Sequence, residues 1–209
     1  MTRSATRRSR RRAIPADSPR DRLLVAATAL FTSRGYAGTS VREIVEHAGV
    51  TKPVLYYYFG NKEGIYRALV AQLLSEFEAR LAEGQEHRGS LRDRVTAVCV
   101  DLFRLVEQRL DAVRFLYGVY YGPPQSAPPF DLDIFPRRFR ATLEKAVREG
   151  IAAGELRRLR AEDVITAIEA MLNIGVEAAL TEPERHFSNK DLTRLIDLLF
   201  TGAAATPTS

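Results

Sequence analysis

The chain has 209 residues, 45% hydrophobic and 27% charged, which is typical of a globular protein with one ample core or two small ones. No run approaches the 18 or so uninterrupted apolar residues that cross a bilayer, and the single Cys99 excludes an internal disulfide and a cysteine-based metal cluster. Residues 1–62 hold twelve Arg or Lys and four Asp or Glu, a net charge of +8. Since the whole chain carries +5, the other 147 residues carry −3. A basic N-terminal part on a mildly acidic remainder favours nucleic acid as the partner of the N-terminal part.

The N-terminal residues 1–17 are predicted to be disordered, because they contain six arginines and almost nothing to bury. This tail either lies in a DNA minor groove or serves only to keep the chain in solution. A first helix is expected to follow, with Ser18 as its N-cap and Pro19 in its first turn. Apolar residues recur at helical spacing from there until Gly35.

Two short helices joined by a turn at Gly49 are predicted next. Ser40 and Glu43 have the spacing of a capping box that begins the second helix, and Thr51 is the expected cap of the third. Gly49 can adopt the positive φ that so tight a turn needs. These proportions are those of a helix-turn-helix, whose second helix enters the major groove of DNA with its N-terminal residues facing the bases.

The exposed end of the third helix is predicted to contact DNA, because hydroxyl, ammonium and phenol groups suit phosphates and base edges. The alternative makes residues 56–59 core aromatics, but four successive residues point all around a helix, so at least one or two must be exposed. The predicted contacts are Thr51, Lys52 and Val54, with Tyr56 and Tyr57 one turn later.

The rest of the chain is also predicted to be helical, and no period-2 alternation bounded by turns indicates a strand. Asn61 is the expected cap of a fourth helix that ends near residue 83, and others are expected over 91–108, 111–121, 131–153, 161–181 and 189–202. The fold class is therefore all-α with nine or so helices. The predicted domains are the tail 1–17, a three-helix head 18–62 and a helical body 63–209.

The segment from Thr39 to Leu69 resembles the DNA-binding domain of the TetR family of bacterial transcriptional regulators. Together with the preceding LLVAATALFTSRGYAG the resemblance covers about 50 residues without a gap, and its departures are Gly64 and Ile65 after the Lys-Glu pair. The matching positions are Thr39, Ile44, Ala48-Gly49-Val50-Thr51, Leu55-Tyr56, Phe59 and Lys62-Glu63.

The resemblance implies roles for four residues of the head. Arg42 would reach a base edge or phosphate, Lys52 would contact bases, and Tyr56 and Lys62 would bind phosphates. The implied function is that of a repressor which a small apolar or aromatic ligand releases from a palindromic operator in double-stranded DNA. The alternative is an activator, or a ligand-independent regulator, of the same fold. Independently of the resemblance, the single cysteine and the lack of an apolar span favour the cytoplasm, and the scattered His47, His87 and His186 indicate no metal site; no cofactor is expected.

A group of aromatic residues marks the predicted ligand site in the body. Eight of the eighteen Phe and Tyr residues fall between positions 103 and 139, on both sides of a proline-rich break at 122–129. They either pack a core or line a pocket near that break, and the resemblance implies a small-molecule effector in this region. The predicted ligand contacts are Phe103, Phe115, Tyr120 and Phe139.

The last two predicted helices are rich in apolar residues such as Ile168 and Leu195. The resemblance implies that they form a four-helix interface in a homodimer, which suits a palindromic target; alternatively, they close the core of a single chain. An enzyme is the rival class, but nothing resembles a phosphate loop, a nucleophile elbow or a metal-ligand pair. A membrane-surface protein would need a helix with a basic polar face, whereas the basic residues here cluster in the tail.

Overall fold

The computed structural model describes residues 18–123, 126–156, 160–181 and 187–202, and every regular element in these ranges is an α-helix. The predicted all-α class is thereby confirmed; the predicted tail 1–17 lies outside the described residues. In chain order the helices are α1 Pro19–Arg34, α2 Val41–Ala48, α3 Lys52–Phe59, α4 Lys62–Glu86, α5 Leu91–Gln108, α6 Leu110–Tyr120, α7 Ile134–Ala152, α8 Ala161–Thr181 and α9 Asn189–Thr201.

Short polar side chains begin most helices of the head as predicted. Ser18 accepts a hydrogen bond from the first turn of α1, Ser40 and Glu43 form a complete capping box on α2, and Asn61 caps α4. Thr51 occupies the N-cap position of α3 as predicted, but its side chain makes no cap hydrogen bond. The Thr51 hydroxyl therefore remains at the surface for an external partner.

Two helix bounds in the body differ from the prediction by three residues. α4 extends to Glu86 rather than ending near residue 83, and α7 begins at Ile134 rather than at residue 131. Before α7 the chain forms short-range turns, in which the Leu132 amide donates to the Phe130 carbonyl at 2.9 Å. These local bonds use backbone groups that an earlier helix start would have needed.

The three helices of the head pack around a small core, and α3 meets α4 at a very tight turn. Ile44 and Leu55 are fully buried, and Gly49 adopts the left-handed conformation (φ 62°, ψ 41°) that the turn between α2 and α3 requires. A Cβ added to Gly64, in the first turn of α4, would lie 1.8 Å from the Phe59 carbonyl oxygen. The angle between α3 and α4 thus depends on a glycine at this position.

An aromatic cluster joins the head to the body. Phe115 of α6 stacks on Phe31 of α1 with ring centroids 5.2 Å apart, and meets Tyr66 of α4 edge-on at 6.0 Å. We call Phe31, Tyr66 and Phe115 the junction cluster. Beside it, the Thr32 hydroxyl donates to the Asp111 carbonyl at 2.8 Å, which ties α1 to the start of α6. Since α4 runs from Lys62 through this cluster into the body, the division at residues 62 and 63 stays a prediction.

The body is built around α5, which packs against α4, α6, α7, α8 and α9. Among the described helices, α8 is long and apolar enough to span a bilayer by length and composition, a test that core helices of soluble proteins also pass. One face of α8 is buried within the chain through Ile168, Leu172 and Val176. Its opposite face exposes Ile174 (55%), and α9 similarly exposes Leu198 (48%). Ile168 therefore belongs to the core of a single chain.

Candidate DNA-binding surface and ligand cavity

The outer side of α3 is a continuous polar and aromatic surface. Leu55 anchors the helix from below, and Val54 is half-buried against the same core. Tyr57 is the most exposed residue of the set, with 83% of its surface accessible. Four of the five residues that were predicted on α3 and its cap are exposed here: Thr51, Lys52, Tyr56 and Tyr57.

The aromatic run that ends α3 divides between surface and core. Tyr58 was not predicted as a contact, yet it is exposed, and its ring lies edge-on to that of Tyr57 with centroids 5.0 Å apart. Phe59 packs partly against the core instead. Phe59 is thus the one residue of 56–59 that packs against the core. The phenols of Tyr56, Tyr57 and Tyr58 lie at the surface, where they can form hydrogen bonds with a partner.

Arg42 lies on the exposed side of α2. Its Nε donates to the Glu46 Oε1 at 2.7 Å, and this hydrogen bond raises the pKa of the guanidinium above its ordinary value. A guanidinium carries five N–H donors, so a pair made through Nε leaves the terminal nitrogens able to contact DNA. The predicted role of Arg42 is therefore compatible with its pairing to Glu46.

Lys62 is engaged inside the head. Its ammonium donates to the Tyr36 carbonyl at 2.9 Å and to the Thr39 carbonyl at 2.8 Å, and lies 4.1 Å from the centroid of the Tyr36 ring. Burial lowers the pKa of this ammonium below its ordinary value. Two of its three donors thus hold the connection between α1 and α2, and one is left for the predicted phosphate contact.

The body contains a cavity of about 370 Å³, a size that suits a small organic molecule. Helices α4 to α8 and the turn before α7 surround it, and most of its wall is aliphatic or aromatic. The apolar and aromatic lining residues are Leu73, Phe77, Leu102, Leu105, Val106, Val113, Leu116, Tyr117, Tyr120, Tyr121, Leu132, Phe135, Pro136, Phe139, Leu172 and Val176.

Two of the four predicted ligand contacts lie in this wall and two do not. Tyr120 and Phe139 line the cavity. Phe103 instead packs edge-on against Phe187 with ring centroids 5.6 Å apart, and Phe115 belongs to the junction cluster. Phe103 and Phe115 therefore lie outside the lining of this cavity, because Phe103 packs against Phe187 and Phe115 packs α6 against α1 and α4; their ligand contacts stay predictions.

Helical spacing explains which aromatic residues of α6 face the cavity. Val113, Tyr117 and Tyr120 follow one another at intervals of four and three residues, so they share one face. Phe115 is two positions from Val113 and from Tyr117, about 200° around the helix, and so points toward α1 and α4. This signal was available in the sequence and would have selected Tyr117 rather than Phe115.

The polar groups of the cavity wall come from α6 and α8. Burial raises the pKa of Tyr117 to about 12, and the Tyr120 hydroxyl donates to the Asp133 Oδ1 at 2.7 Å. Glu169 and Asn173, one turn apart on α8, complete the lining. No sequence signal indicated Glu169, since a glutamate in an amphipathic helix ordinarily faces solvent. Within the described ranges no group of three or more His, Cys, Asp or Glu side chains is placed to hold a metal.

Comparison with known proteins identifies relatives for both parts of the chain. Residues 23–69 match the family model described as "Bacterial regulatory proteins, tetR family". The transcriptional activator FasR of Mycolicibacterium smegmatis is 30% identical over 115 residues, which are 54% of this chain and about half (52%) of FasR.

Solved structures resemble the described fold along most of its length. PfmR from Thermus thermophilus, a TetR family transcriptional regulator, superposes with a TM-score of 0.71 at 24% identity and covers 90% of this chain and 98% of its own. FadR from Bacillus subtilis, solved in complex with stearoyl-CoA, has a TM-score of 0.66 at 18% identity over 88% of this chain and 98% of its own. At these identities the likeness establishes the fold.

Proposed function

The chain belongs to the TetR family of bacterial transcriptional regulators, and from that premise we propose that it is a cytoplasmic repressor that binds a palindromic operator through α2 and α3. The observation that carries this proposal is the surface of α3, where Thr51, Lys52, Tyr56 and Tyr57 are exposed above a fully buried Leu55. Side chains that offer hydrogen bonds from a rigid, anchored helix suit base edges and phosphates.

The proposed DNA contact of each residue follows from its position on this surface. Thr51 and Lys52, at the N-terminal end of α3, read bases together with the methyl groups of Val54. Tyr56 and Tyr57, a turn later, contact the sugar-phosphate backbone, as does Arg42 from α2. Lys62 adds a phosphate contact through its remaining donor while it holds the connection between α1 and α2.

Selection from a random duplex library tests the DNA-binding proposal. The wild-type chain should enrich a palindromic motif. Lys52→Ala should relax the preference at one defined position of each half-site, at a cost of about 1–3 kcal/mol there. Arg80→Ala is the matched control, because Arg80 is also cationic but lies on α4 within the body, paired with Glu83. Failure to enrich any motif would refute the proposal, and a uniform loss over all sequences would reassign Lys52 to the backbone.

We further propose that an apolar or aromatic ligand in the cavity releases the DNA. Leu73 and Phe77 of α4 line the cavity, and Lys62 of the same helix holds the head, about 17 to 22 Å away along the helix at 1.5 Å per residue. A ligand that moves α4 would therefore reorient the head. FadR, which was solved with stearoyl-CoA, supports a ligand with an extended apolar part. FasR is named an activator, so activation of transcription is the alternative to repression.

A homodimer is the proposed DNA-binding unit, since a palindrome is matched by a two-fold axis. The exposed apolar side chains Ile174 on α8 and Leu198 on α9 support this interface. Because Ile168 is fully buried in a single chain, a charge at that position would disrupt the fold before it reported on association. The interface is better probed at the exposed positions.

A further inference from the structure

The described residues of the cavity wall carry negative charge and no positive charge. Among the described residues that line the cavity, Glu169 is the one charged side chain, and none is Lys, Arg or His. The remaining polar groups are tyrosine phenols and the amide of Asn173. An apolar cavity with a carboxylate in its wall attracts a cationic group and repels an anionic one, because charges interact more strongly where water is excluded.

The charge of Glu169 is not cancelled by its surroundings. Its Oε2 accepts a hydrogen bond from Arg140 at 2.7 Å, but Arg140 also binds Glu162, and its Nε lies 3.5 Å from a carboxylate oxygen of Glu144. One guanidinium thus contacts three carboxylates. Its one positive charge and their three negative charges give these four side chains a net charge of −2. Within the described residues the Glu169 Oε1 accepts no side-chain hydrogen bond.

We propose that the effector of this cavity is an organic cation, a protonated amine on an apolar body, whose ammonium pairs with Glu169. This inference rests on the proposed ligand-binding role of the cavity and names the class of ligand. An ammonium has three donors, of which one can bind the Glu169 Oε1 and another the side-chain carbonyl of Asn173, one turn further along α8. Phe77, Phe135 and Phe139 then surround the apolar body.

The same geometry disfavours acidic ligands. A fatty acid carboxylate would meet the Glu169 carboxylate, and the phosphates of a CoA thioester would find no basic side chain among the described residues of the cavity wall. The cavity therefore differs in charge preference from what the stearoyl-CoA complex of FadR would suggest for a protein of this fold. Binding measurements can test directly whether the cavity prefers cationic to anionic ligands.

The experiment uses four probes with the same eight-carbon chain: octylamine, 1-octanol, octanoate and octanoyl-CoA. Calorimetric titration at pH 7 should show octylamine binding at least about tenfold more tightly than the other three, as expected for a charge-assisted hydrogen bond. Glu169→Gln should weaken octylamine by at least about tenfold and leave 1-octanol unchanged. Glu162→Gln should weaken octylamine less than Glu169→Gln does, because Glu162 shares Arg140 with Glu169 but does not line the cavity. Glu83→Gln is the matched control, because Glu83 is also a paired surface carboxylate but neither lines the cavity nor contacts Arg140.

Several outcomes would overturn the assignment. These are tighter binding of octanoate or octanoyl-CoA than of octylamine, equal affinities for all four probes, or an amine preference that survives in Glu169→Gln. Because the comparison of probes on the wild-type chain is decisive alone, a variant that misfolds does not remove the test. If none of the probes binds, both this inference and the ligand role of the cavity fail, whereas the duplex selection tests DNA binding independently.

Discussion

Phe115→Leu tests whether the junction cluster couples the cavity to the head. Phe115 is 4% exposed and forms ring contacts with Phe31 and Tyr66. Two aromatic pairs contribute about 0.5–1.5 kcal/mol each, so the substitution should lower the free energy of unfolding by about 1–3 kcal/mol. A domain is typically stable by about 5–15 kcal/mol, and the variant should therefore still fold.

The functional effect should be confined to coupling. Phe115 does not line the cavity, so octylamine should bind the free variant within about twofold of its affinity for wild type. The ratio of octylamine affinities for free protein and for the protein–operator complex measures coupling, which is usually about 1–3 kcal/mol. That ratio should fall toward one in Phe115→Leu, because the stacked ring that links α6 to α1 and α4 is lost.

The measurements are urea unfolding and the two octylamine titrations, with Phe139→Leu as control. Phe139 is also a buried phenylalanine, but it lines the cavity. It should show the opposite pattern: weaker octylamine binding with the coupling ratio preserved. Equal losses of octylamine affinity in the two variants would refute the assignment of Phe115 to the junction, and so would an unchanged coupling ratio in Phe115→Leu.

Three further substitutions test other parts of the fold. Lys62→Met removes two hydrogen bonds to backbone carbonyls and should cost about 1–3 kcal/mol in urea unfolding; an unchanged midpoint would show that these bonds contribute nothing. Gly64→Ala should displace α3 and weaken operator binding, whereas Gly118→Ala, with open space around its added Cβ, should not; equal affinities would contradict the tight turn. Leu198→Asp should give monomers by sedimentation, and a persistent dimer would exclude α9 from the interface.

Local signals account for what could be predicted of the fold. The caps at Ser18, Ser40 and Asn61 and the helical spacing of apolar residues act within a few positions, so the sequence displays them directly. Thr51 has the residue type of a cap but not the bond, because residue type alone does not fix the side-chain torsion that makes the bond. The same local rules predicted the exposed surface of α3.

Tertiary contacts decide what the sequence did not reveal about the sites. The direction in which Phe115 points depends on where α1 and α4 pack against α6. Phe103 packs against Phe187, which lies 84 positions later in the chain. Lys62 was predicted from resemblance as a phosphate contact, yet the carbonyls that bind it come from positions 36 and 39. Glu169 lies in the cavity wall because α8 packs against α5, α6 and α7 there.

The tyrosines give the native chain an optical readout of both proposed sites. The sequence contains eight tyrosines and no tryptophan, so ultraviolet fluorescence arises from tyrosine alone. Five belong to the head and its junction, and three line the cavity: Tyr36, Tyr56, Tyr57, Tyr58 and Tyr66, then Tyr117, Tyr120 and Tyr121. Changing the last three to phenylalanine would leave only the five tyrosines of the head and its junction, so that operator binding could be followed without any attached dye.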